Sequence, residues 1–305
     1  MSEAPRWAVE GRDWPLREHS RFVEAAGMSW HVQRLGEGPA LLLLHGTGAA
    51  THSWRDLAPL LARHFTVVAP DLPGHGFTAA APRAQRSLPG YAGLVAALLE
   101  ALAIRPAIAV GHSAGAAIAI RMALDGHLAP DVPIISLNGA LLPFPGPAAH
   151  IFPALAKLLF DNALTPRLFA FQAALPGQVR SFLDRSTGSR IDQRGIELYG
   201  RLFATPGHCA GALAMMAGWD LHALERDLPR LANSLTLVAA SGDLSVPPSV
   251  ADRAARLAPA ARVIEWRGLG HLAHEEAPAR AAEIILDAWN HKAGPRVSRA
   301  EEARG

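Results

Sequence analysis

The sequence predicts an α/β domain in which helices cover both faces of a mostly parallel sheet. Short, wholly apolar segments recur along the chain, and helical patterns separate them. A strand that is apolar on both sides is buried on both sides, as in a doubly wound sheet. The alternation stops between residues 140 and 220, where apolar helical segments follow one another. We therefore expect one α/β core with an inserted helical cap.

The predicted elements follow the chain in order. Residues 1–20 are polar, and we expect this N-terminal segment to pack poorly. Two strands are predicted to form a hairpin at Gly27. The predicted strands are 21–27, 28–35, 40–44, 66–69, 107–110, 134–137, 235–239 and 262–266, and the predicted core helices are 53–64, 88–102, 116–122 and 275–291.

The predicted domain organisation has two parts. The core comprises residues 21–139 and 221–291, and the cap comprises residues 140–220. The cap shows four proline-interrupted apolar segments, at 151–160, 166–174, 193–203 and 209–217. Residues 292–305 are polar, and we expect a disordered tail.

Composition excludes several classes of protein. The 305 residues carry a formal net charge of only +2, and both signs are scattered, so no nucleic-acid partner is expected. The single cysteine, Cys209, can form no internal disulfide and has no companion for a metal site. No segment resembles a signal peptide or a membrane span, so a cytoplasmic protein is the expectation.

The most informative segment is Gly-His-Ser-Ala-Gly at 111–115, which follows an apolar strand and precedes a helix-forming run. Strand, sharp turn and helix in this order predict a nucleophile elbow with Ser113 at its tip. Glycines two residues on either side of the serine leave room for so tight a turn. The following helix points its amide groups at the same place and favours negative charge there.

A serine nucleophile needs a base, and the base needs an acid. His271 lies in the loop between the last predicted strand and the last helix, and Asp243 follows strand 235–239. Both loops are expected at the carboxyl edge of the sheet, together with Ser113. We therefore predict a catalytic triad of Ser113, Asp243 and His271.

Other residues compete for these roles. His274 is the nearest rival base, although it is more simply explained as a residue that braces the loop. Asp71, Asp220 and Asp227 are alternative acids, but Asp71 lies in a tight turn. The acid could also follow the predicted strand 134–137, but Asn138 occupies that position.

A tetrahedral intermediate needs two donors for its oxyanion, and backbone N–H groups can supply them. Ala114, directly after the serine, offers one. The loop His45-Gly46-Thr47-Gly48 follows strand 40–44 and can turn towards Ser113. We predict the N–H of Thr47 as the second donor.

Several motifs together resemble the α/β-hydrolase fold over residues 21–291. They are HGTGAATHSW (45–54), PDLPGHGFT (70–78), GHSAG (111–115), VPP (246–248) and GLGHLAHEEAP (268–278). The chain order Ser, Asp, His is the order of that family. Ala240 departs from it, since many relatives have glycine at the start of the acid loop.

A closer resemblance is to the magnesium-chelatase accessory proteins of bacteriochlorophyll biosynthesis, the BchO type. It rests on THSWRDLAPLLA (51–62), STGSRID (186–192) and ALAMMAGWDL (212–221). The resemblance implies a role in photosynthesis beside magnesium insertion into protoporphyrin, with magnesium-chelatase subunits as partners. It also implies a location at pigment-bearing membranes, to which the apolar cap could attach peripherally.

The residues favour a serine hydrolase that cleaves a carboxylic ester through an acyl-enzyme intermediate, with no cofactor and no metal. The substrate would be a small-molecule ester or a tetrapyrrole. An alternative is a tetrapyrrole-binding accessory protein with a vestigial triad, in which His150 and His208 could ligate a bound magnesium. A lesser alternative is a cofactor-free perhydrolase. The predicted substrate pocket comprises Gly46, His112, Phe144, Phe152, Phe171, Met216, Trp219 and Leu272.

Overall fold

The computed structural model describes residues 4–143, 162 and 164–293. These residues contain one eight-stranded sheet in the order β1-β2-β4-β3-β5-β6-β7-β8. Its first two pairings, β1 with β2 and β2 with β4, are antiparallel, and the remaining five are parallel. The strands are β1 (Ser20–Ala25), β2 (Met28–Leu35), β3 (Ala40–Leu44), β4 (Thr66–Pro70), β5 (Ile108–His112), β6 (Ile134–Leu137), β7 (Leu235–Ala240) and β8 (Ala261–Trp266). The predicted fold class and every predicted strand are confirmed.

The opening hairpin turns at Ala26 and Gly27, whose φ angles are 50° and 72°. Two successive residues with positive φ form the kind of turn whose twist matches a β-hairpin. Glycine takes this conformation without strain, which accounts for its place at the second position.

Helices cover both faces of the sheet. The core helices are α1 (Ala58–Leu61), α2 (Leu88–Ala101), α3 (Ala114–Leu124), α9 (Ser249–Leu257), α10 (Ala273–Glu276) and α11 (Pro278–Ala293). Between β6 and β7 lie α4 (Thr165–Ala173), α5 (Gln178–Thr187), α6 (Gln193–Phe203), α7 (Pro206–Ala217) and α8 (Leu221–Asp227).

Two predicted core helices are wrong in extent, and proline explains both. The predicted helix 53–64 is a 3-10 turn at Thr51–Trp54 followed by the single turn α1. Proline lacks the N–H of an interior helical residue, and Pro59 lies in the first turn of α1. The predicted helix 275–291 is likewise divided, since α11 begins at Pro278 and runs to Ala293.

Alternate side chains of the central strands reach opposite faces of the sheet. In β3, Leu42 and Leu44 belong to the apolar cluster beneath α2 and α3. Leu41 and Leu43 belong to the cluster beneath α1 and α11. This two-sided burial is what the wholly apolar strands predict.

The N-terminal segment is packed, contrary to the expectation. Trp14 is only 2% exposed, and its indole N–H donates to the Thr51 hydroxyl at 3.0 Å. Asp13 forms ion pairs with Arg194 and Arg201 of α6. One buried tryptophan and one ion-paired aspartate attach this segment to the domain, and the polar average composition of residues 1–20 does not reveal them.

The cap differs from its prediction in one helix. Segments 166–174, 193–203 and 209–217 are helical as expected, whereas α5 is an additional, amphipathic helix. Residues 292 and 293 of the predicted tail, 292–305, belong to the last helix, and residues 294–305 lie outside the described residues, as does the predicted segment 151–160. Within the part of the chain that is described, no helix is long and apolar enough to span a membrane.

Candidate active site

Ser113 lies in a strained turn between β5 and α3. Its φ and ψ angles are 50° and −114°, a conformation that costs a non-glycine residue free energy. A Cβ atom at Gly111 would overlap the backbone of Ala116, and one at Gly115 would overlap the carbonyl of Leu44. The two glycines therefore have the steric role that the sequence predicted for them.

The carboxyl ends of β5, β6 and β7 meet beside this turn. The Ser113 N–H donates to the Leu137 carbonyl at 3.0 Å, and the Asn138 N–H donates to the Val238 carbonyl at 2.9 Å. These bonds continue the parallel ladder by one residue beyond each strand end. They place Ser113, Asn138 and the loop after β7 at one edge of the sheet.

Asp243 and His271 are paired at this edge. The Oδ2 atom of Asp243 lies 2.7 Å from Nδ1 of His271, and their side chains are only 1% and 9% exposed. The other oxygen, Oδ1, accepts the backbone N–H groups of Ser245 and Val246, each at 2.8 Å. Asn138 donates its side-chain amide to Oδ2 at 2.8 Å.

This set of donors fixes the state of the pair. An ionised carboxylate has no donor and about four acceptor sites, so the ionised form of Asp243 can accept all four of these hydrogen bonds. The proton of neutral His271 then resides on Nδ1, and Nε2 presents its lone pair. Among the described residues no hydrogen bond joins Ser113 to that ring, and such contacts commonly tighten when substrate binds.

His112 braces His271 from the side of the elbow. The ring centroids of these two histidines are 4.7 Å apart, and His112 Nε2 lies 2.9 Å from the His271 carbonyl oxygen. Burial, together with the neighbouring histidines, holds the pKa of His112 well below its usual range. His112 is 2% exposed, so its place is beneath the site and not, as predicted, in the pocket lining.

The loop after β3 lies directly against Ser113. A Cβ atom at Gly46 would lie 3.0 Å from the Cβ of Ser113 and 2.8 Å from Nδ1 of His112. Only glycine allows so close an approach of backbone to nucleophile. The loop is therefore placed where the sequence predicted the second oxyanion donor.

His45 orients this loop. The Leu72 N–H donates to Nε2 of His45 at 2.8 Å, so the proton of the neutral ring is on Nδ1. Nδ1 lies 2.8 Å from the Gly46 carbonyl oxygen and donates to it. Because the C=O and N–H of a trans peptide point in opposite directions, this bond directs the Thr47 N–H away from His45.

The two predicted donors, the N–H groups of Thr47 and Ala114, have no hydrogen-bond acceptor among the described residues. Ala114 is the first residue of α3, where the N–H groups of a helix lack an intrahelical acceptor. The positive end of the helix dipole also favours negative charge beside the Ala114 N–H. Both donors are available to a ligand.

The predicted pocket agrees with the structure only in part. Leu272 is 4% exposed, and Trp219 packs partly buried against the main apolar cluster. Phe171 and Met216 are 59% and 45% exposed, because they lie on outward faces of α4 and α7. Phe144 and Phe152 lie outside the described residues.

Met215, the neighbour of Met216, lies on the inner face of α7 instead. It is fully buried, and its sulfur accepts a hydrogen bond from the Thr47 hydroxyl at 3.3 Å. Successive helical residues point about 100° apart. The prediction of Met216 as a pocket residue is therefore wrong by one position, since Met215 is the methionine beside the oxyanion loop.

His208 braces the oxyanion loop and is not free to bind a metal. Its Nδ1 accepts the Gly76 N–H at 3.0 Å, and Nε2 lies 2.9 Å from the Gly48 carbonyl oxygen. Burial lowers its pKa to about 4. His150 lies outside the described residues. Across the described ranges, no group of three or more candidate ligands could hold a metal ion.

The rival base and acids have other partners. His274 is fully buried and bonds through Nε2 to the Ser53 hydroxyl at 2.8 Å. Asp71 accepts hydrogen bonds from His31, Thr51 and Phe77, so it organises its own turn. Asp220 caps α8, and Asp227 pairs with Arg121. Asp243 is the acid that reaches His271.

The sequence interpretation missed a buried network between cap and core. Glu275 is fully buried and accepts hydrogen bonds from Ser53, Arg55 and Tyr199 at 2.6, 2.5 and 2.8 Å. Arg55 also binds Asp192 at 2.8 Å. Four of these five residues lie in the motifs at 51–62, 186–192 and 268–278, and those motifs were the signal in the sequence.

Comparison with known proteins agrees with this geometry. A family model described as the alpha/beta hydrolase family matches residues 41–284. The chain belongs to that family. It is 39% identical over 277 residues to a protein named magnesium-chelatase 30 kDa subunit from Rhodobacter capsulatus, covering 90% of this chain and 96% of the relative. It is 32% identical over 256 residues to pyrrolizixenacetamide deacetylase from Xenorhabdus hominickii, covering 82% and 90%.

Solved structures share the fold of this hydrolase-family chain. Cfl2 from Burkholderia cenocepacia superposes with a TM-score of 0.74 at 24% identity, covering 89% of this chain and 95% of that one. An esterase from Exiguobacterium antarcticum superposes with a TM-score of 0.72 at 16% identity, covering 88% and 98%. At these identities the likeness concerns the fold alone.

Proposed function

We propose that this protein is a serine hydrolase that cleaves a carboxylic ester through an acyl-enzyme intermediate. The observation that carries the proposal is the Asp243–His271 pair at the sheet edge that also bears the strained Ser113, with three further donors on the Asp243 carboxylate. A purely binding protein has no physical need for this pair together with a free pair of oxyanion donors.

In the first half-reaction, Ser113 Oγ attacks the carbonyl carbon of the ester while Nε2 of His271 accepts the hydroxyl proton. Asp243 stabilises the imidazolium that forms, through the Nδ1–H hydrogen bond. The tetrahedral intermediate collapses as its bond to the alkoxy group breaks. His271 gives its proton to the departing oxygen, and an alcohol leaves.

In the second half-reaction, Nε2 of His271 takes a proton from water, and the hydroxide attacks the acyl carbon. The bond from the acyl carbon to Ser113 then breaks, and the serine oxygen regains its proton from His271. A carboxylic acid is released. If hydrogen peroxide replaced water in this step the product would be a peracid, which is the perhydrolase alternative.

The N–H groups of Thr47 and Ala114 would bind the oxyanion in both half-reactions. Loss of one such donor typically costs about 3 kcal/mol of transition-state stabilisation. His45 and His208 hold the loop that carries Thr47, through the carbonyls of Gly46 and Gly48. The donors are thus oriented before substrate arrives.

We further propose that this chemistry serves magnesium chelation in bacteriochlorophyll biosynthesis. The support is 39% identity, over nearly the full length of both chains, to the protein named magnesium-chelatase 30 kDa subunit. On this proposal the ester is borne by a tetrapyrrole or by another small molecule of the pathway, and chelatase subunits are the partners. A tetrapyrrole-binding role without catalysis is the competing proposal.

Peripheral contact with pigment-bearing membranes is a further part of this proposal. On α4 and α5, Leu168, Phe171 and Phe182 are 67%, 59% and 53% exposed, beside the exposed Arg180 and Arg185. Apolar and basic side chains in this combination favour an anionic lipid surface. Sedimentation with vesicles that contain anionic lipid should retain the protein, and a protein left in the supernatant would exclude the contact.

A fluorophosphonate probe tests the hydrolase proposal, because it reacts rapidly only with an activated serine beside a formed oxyanion hole. Intact-mass measurement should show one adduct in the wild type and none in Ser113→Ala or His271→Ala. A folded protein that stays unlabelled would favour the tetrapyrrole-binding alternative. A spectral shift on titration with protoporphyrin would then support that alternative, and an unchanged spectrum would count against it.

A further inference from the structure

The last two residues of α5 and the connection to α6, together residues 186–192, are bonded to the loop that carries His271. The backbone N–H of His271 donates to the Thr187 carbonyl at 2.8 Å. The next N–H, that of Leu272, donates to the Ser189 hydroxyl at 2.8 Å. Residues 186–192 are called the anchor segment below.

The anchor segment is also bonded to the acid loop. The Ser245 hydroxyl donates to the Ser186 carbonyl at 2.6 Å, and the Leu244 N–H donates to the Thr187 carbonyl at 3.4 Å. A Cβ atom at Gly188 would overlap the carbonyl of Gly242. One cap segment thus lies in backbone contact with the loops of both Asp243 and His271.

Glu276 adds a third connection. Its two carboxylate oxygens accept the N–H groups of Arg190, in the anchor segment, and of Gly270, each at 2.8 Å. The residue before His271 is therefore fixed to the same segment as the residue after it. His271 lies between two backbone groups that the cap holds in place.

Ser189 is the side chain on which this arrangement depends. It is 1% exposed, and its own N–H donates to the Thr187 hydroxyl at 3.1 Å. The Thr187 hydroxyl in turn donates to the Leu183 carbonyl at the end of α5. Removal of the Ser189 hydroxyl leaves the buried Leu272 N–H without its acceptor, which frees the backbone beside His271 to move.

The packing around Leu272 connects the anchor segment to the opposite side of the site. Leu272 belongs to a small apolar cluster with Ile191, Ile196 and Tyr199 of the cap and with Ala49, which follows the oxyanion loop. The cluster therefore joins α6 to the His271 loop and to the residue that follows the oxyanion loop.

We propose that Ser189 is a positioning residue for His271, and that the anchor segment makes the cap a fixed part of the triad's support. The proposal rests on the proposed function for its effect on rate, but its effect on geometry is independent of that function. A hinge motion that lifted the whole cap would have to break the bonds to both loops. Opening for substrate must then leave the α5–α6 connection in place.

The test compares Ser189→Ala with Ser186→Ala, a matched control. Among the residues that the structure describes, the Ser186 hydroxyl bonds only to the Phe182 carbonyl in its own helix, and its substitution preserves the backbone contact with Ser245. Two readouts are needed. The first is the maximal rate and half-saturating concentration of fluorophosphonate labelling, and the second is the downfield proton resonance of the His271 Nδ1–H, assigned by its loss in His271→Ala.

Ser189→Ala should lower the maximal labelling rate by about tenfold to a hundredfold, the effect of a small misplacement of a reacting group, with the half-saturating concentration unchanged. Its Nδ1–H resonance should shift or broaden through faster exchange with water. Ser186→Ala should match the wild type in both. Partial unfolding of Ser189→Ala would lower the observed labelling rate only in proportion to the folded fraction, so a variant that a thermal melt shows to be mostly folded cannot lose tenfold in rate by that route.

If the wild type labels and Ser189→Ala labels at the same rate, the proposal is overturned. If the wild type does not label, the proposed function fails, and the Nδ1–H resonance alone tests whether Ser189 positions His271. A resonance that is altered in Ser189→Ala and intact in Ser186→Ala would support positioning without hydrolysis. A resonance that is the same in all three proteins would overturn it.

Discussion

The substitution Asp243→Asn tests the electrostatic logic of the site. Both carboxylate oxygens accept two hydrogen bonds, from Ser245 and Val246 on one side and from Asn138 and His271 on the other. An amide offers one oxygen and one NH2 group, so the NH2 must face two of these donors. His271 can relieve the conflict by moving its proton from Nδ1 to Nε2.

That tautomer removes the base, because a protonated Nε2 cannot accept the proton of Ser113. In a serine-histidine-aspartate triad this substitution lowers the rate by about 10⁴-fold. The corresponding loss of transition-state stabilisation is about 5 kcal/mol. The assay is the maximal rate of fluorophosphonate labelling, with a thermal melt to verify that the variant is folded.

Asn138→Ala is the matched control for this prediction. It removes one neutral donor from the same carboxylate oxygen and leaves the tautomer of His271 unchanged, so it should cost about 1 kcal/mol, or less than tenfold in rate. A folded Asp243→Asn protein that labels within tenfold of the wild-type rate would refute the assignment of Asp243.

Three further predictions follow from named contacts. Gly46→Ala places a methyl group 3.0 Å from the Cβ of Ser113, so it should displace the oxyanion loop and lower the labelling rate by about a hundredfold. Gly93→Ala is the control, because its Cβ position is open space, and it should label at the wild-type rate. The pKa of His208 is lowered to about 4, so the unfolded chain binds more protons than the folded protein as the pH falls below about 6.5. The free energy of unfolding, measured with urea, should therefore fall by about 2 kcal/mol from this group between pH 7 and pH 5. Arg55→Ala leaves the fully buried carboxylate of Glu275 without its cation and should lower the free energy of unfolding by about 3–5 kcal/mol.

Exposed residues supply the controls for the last two predictions. His64→Gln should leave the pH dependence of stability as it is in the wild type, whereas His208→Gln should reduce it. Arg63→Ala should change the free energy of unfolding by less than about 0.5 kcal/mol. An Arg55→Ala protein as stable as Arg63→Ala would show that the buried network contributes little.

The elements that local chemistry specifies were predictable from the sequence. The apolar runs at β3, β5 and β7 have no polar side to expose, so a doubly covered sheet follows from them. Gly111 and Gly115 identify the elbow because their steric role is local. Asp243 and His271 follow from their positions after strands, which a parallel sheet brings to one edge.

The contacts that long-range packing decides were not predictable. Ser189 is an ordinary serine between glycine and arginine, and nothing local indicates that it meets the Leu272 N–H from 83 residues away. In the sequence Asn138 only marks a strand end without an acid, yet its side-chain amide donates to the carboxylate of Asp243. Trp14 anchors a segment whose average composition is polar. In each case the partner lies far along the chain, and periodicity carries no information about it.

The most direct measurement is the intact mass and labelled peptide of the wild-type protein after a short exposure to a fluorophosphonate. A single adduct on Ser113, absent from Ser113→Ala and His271→Ala, is the expected result and would establish an activated serine at the elbow. A folded protein without an adduct, or one labelled at another residue, would contradict the assignment of this site as a working hydrolase.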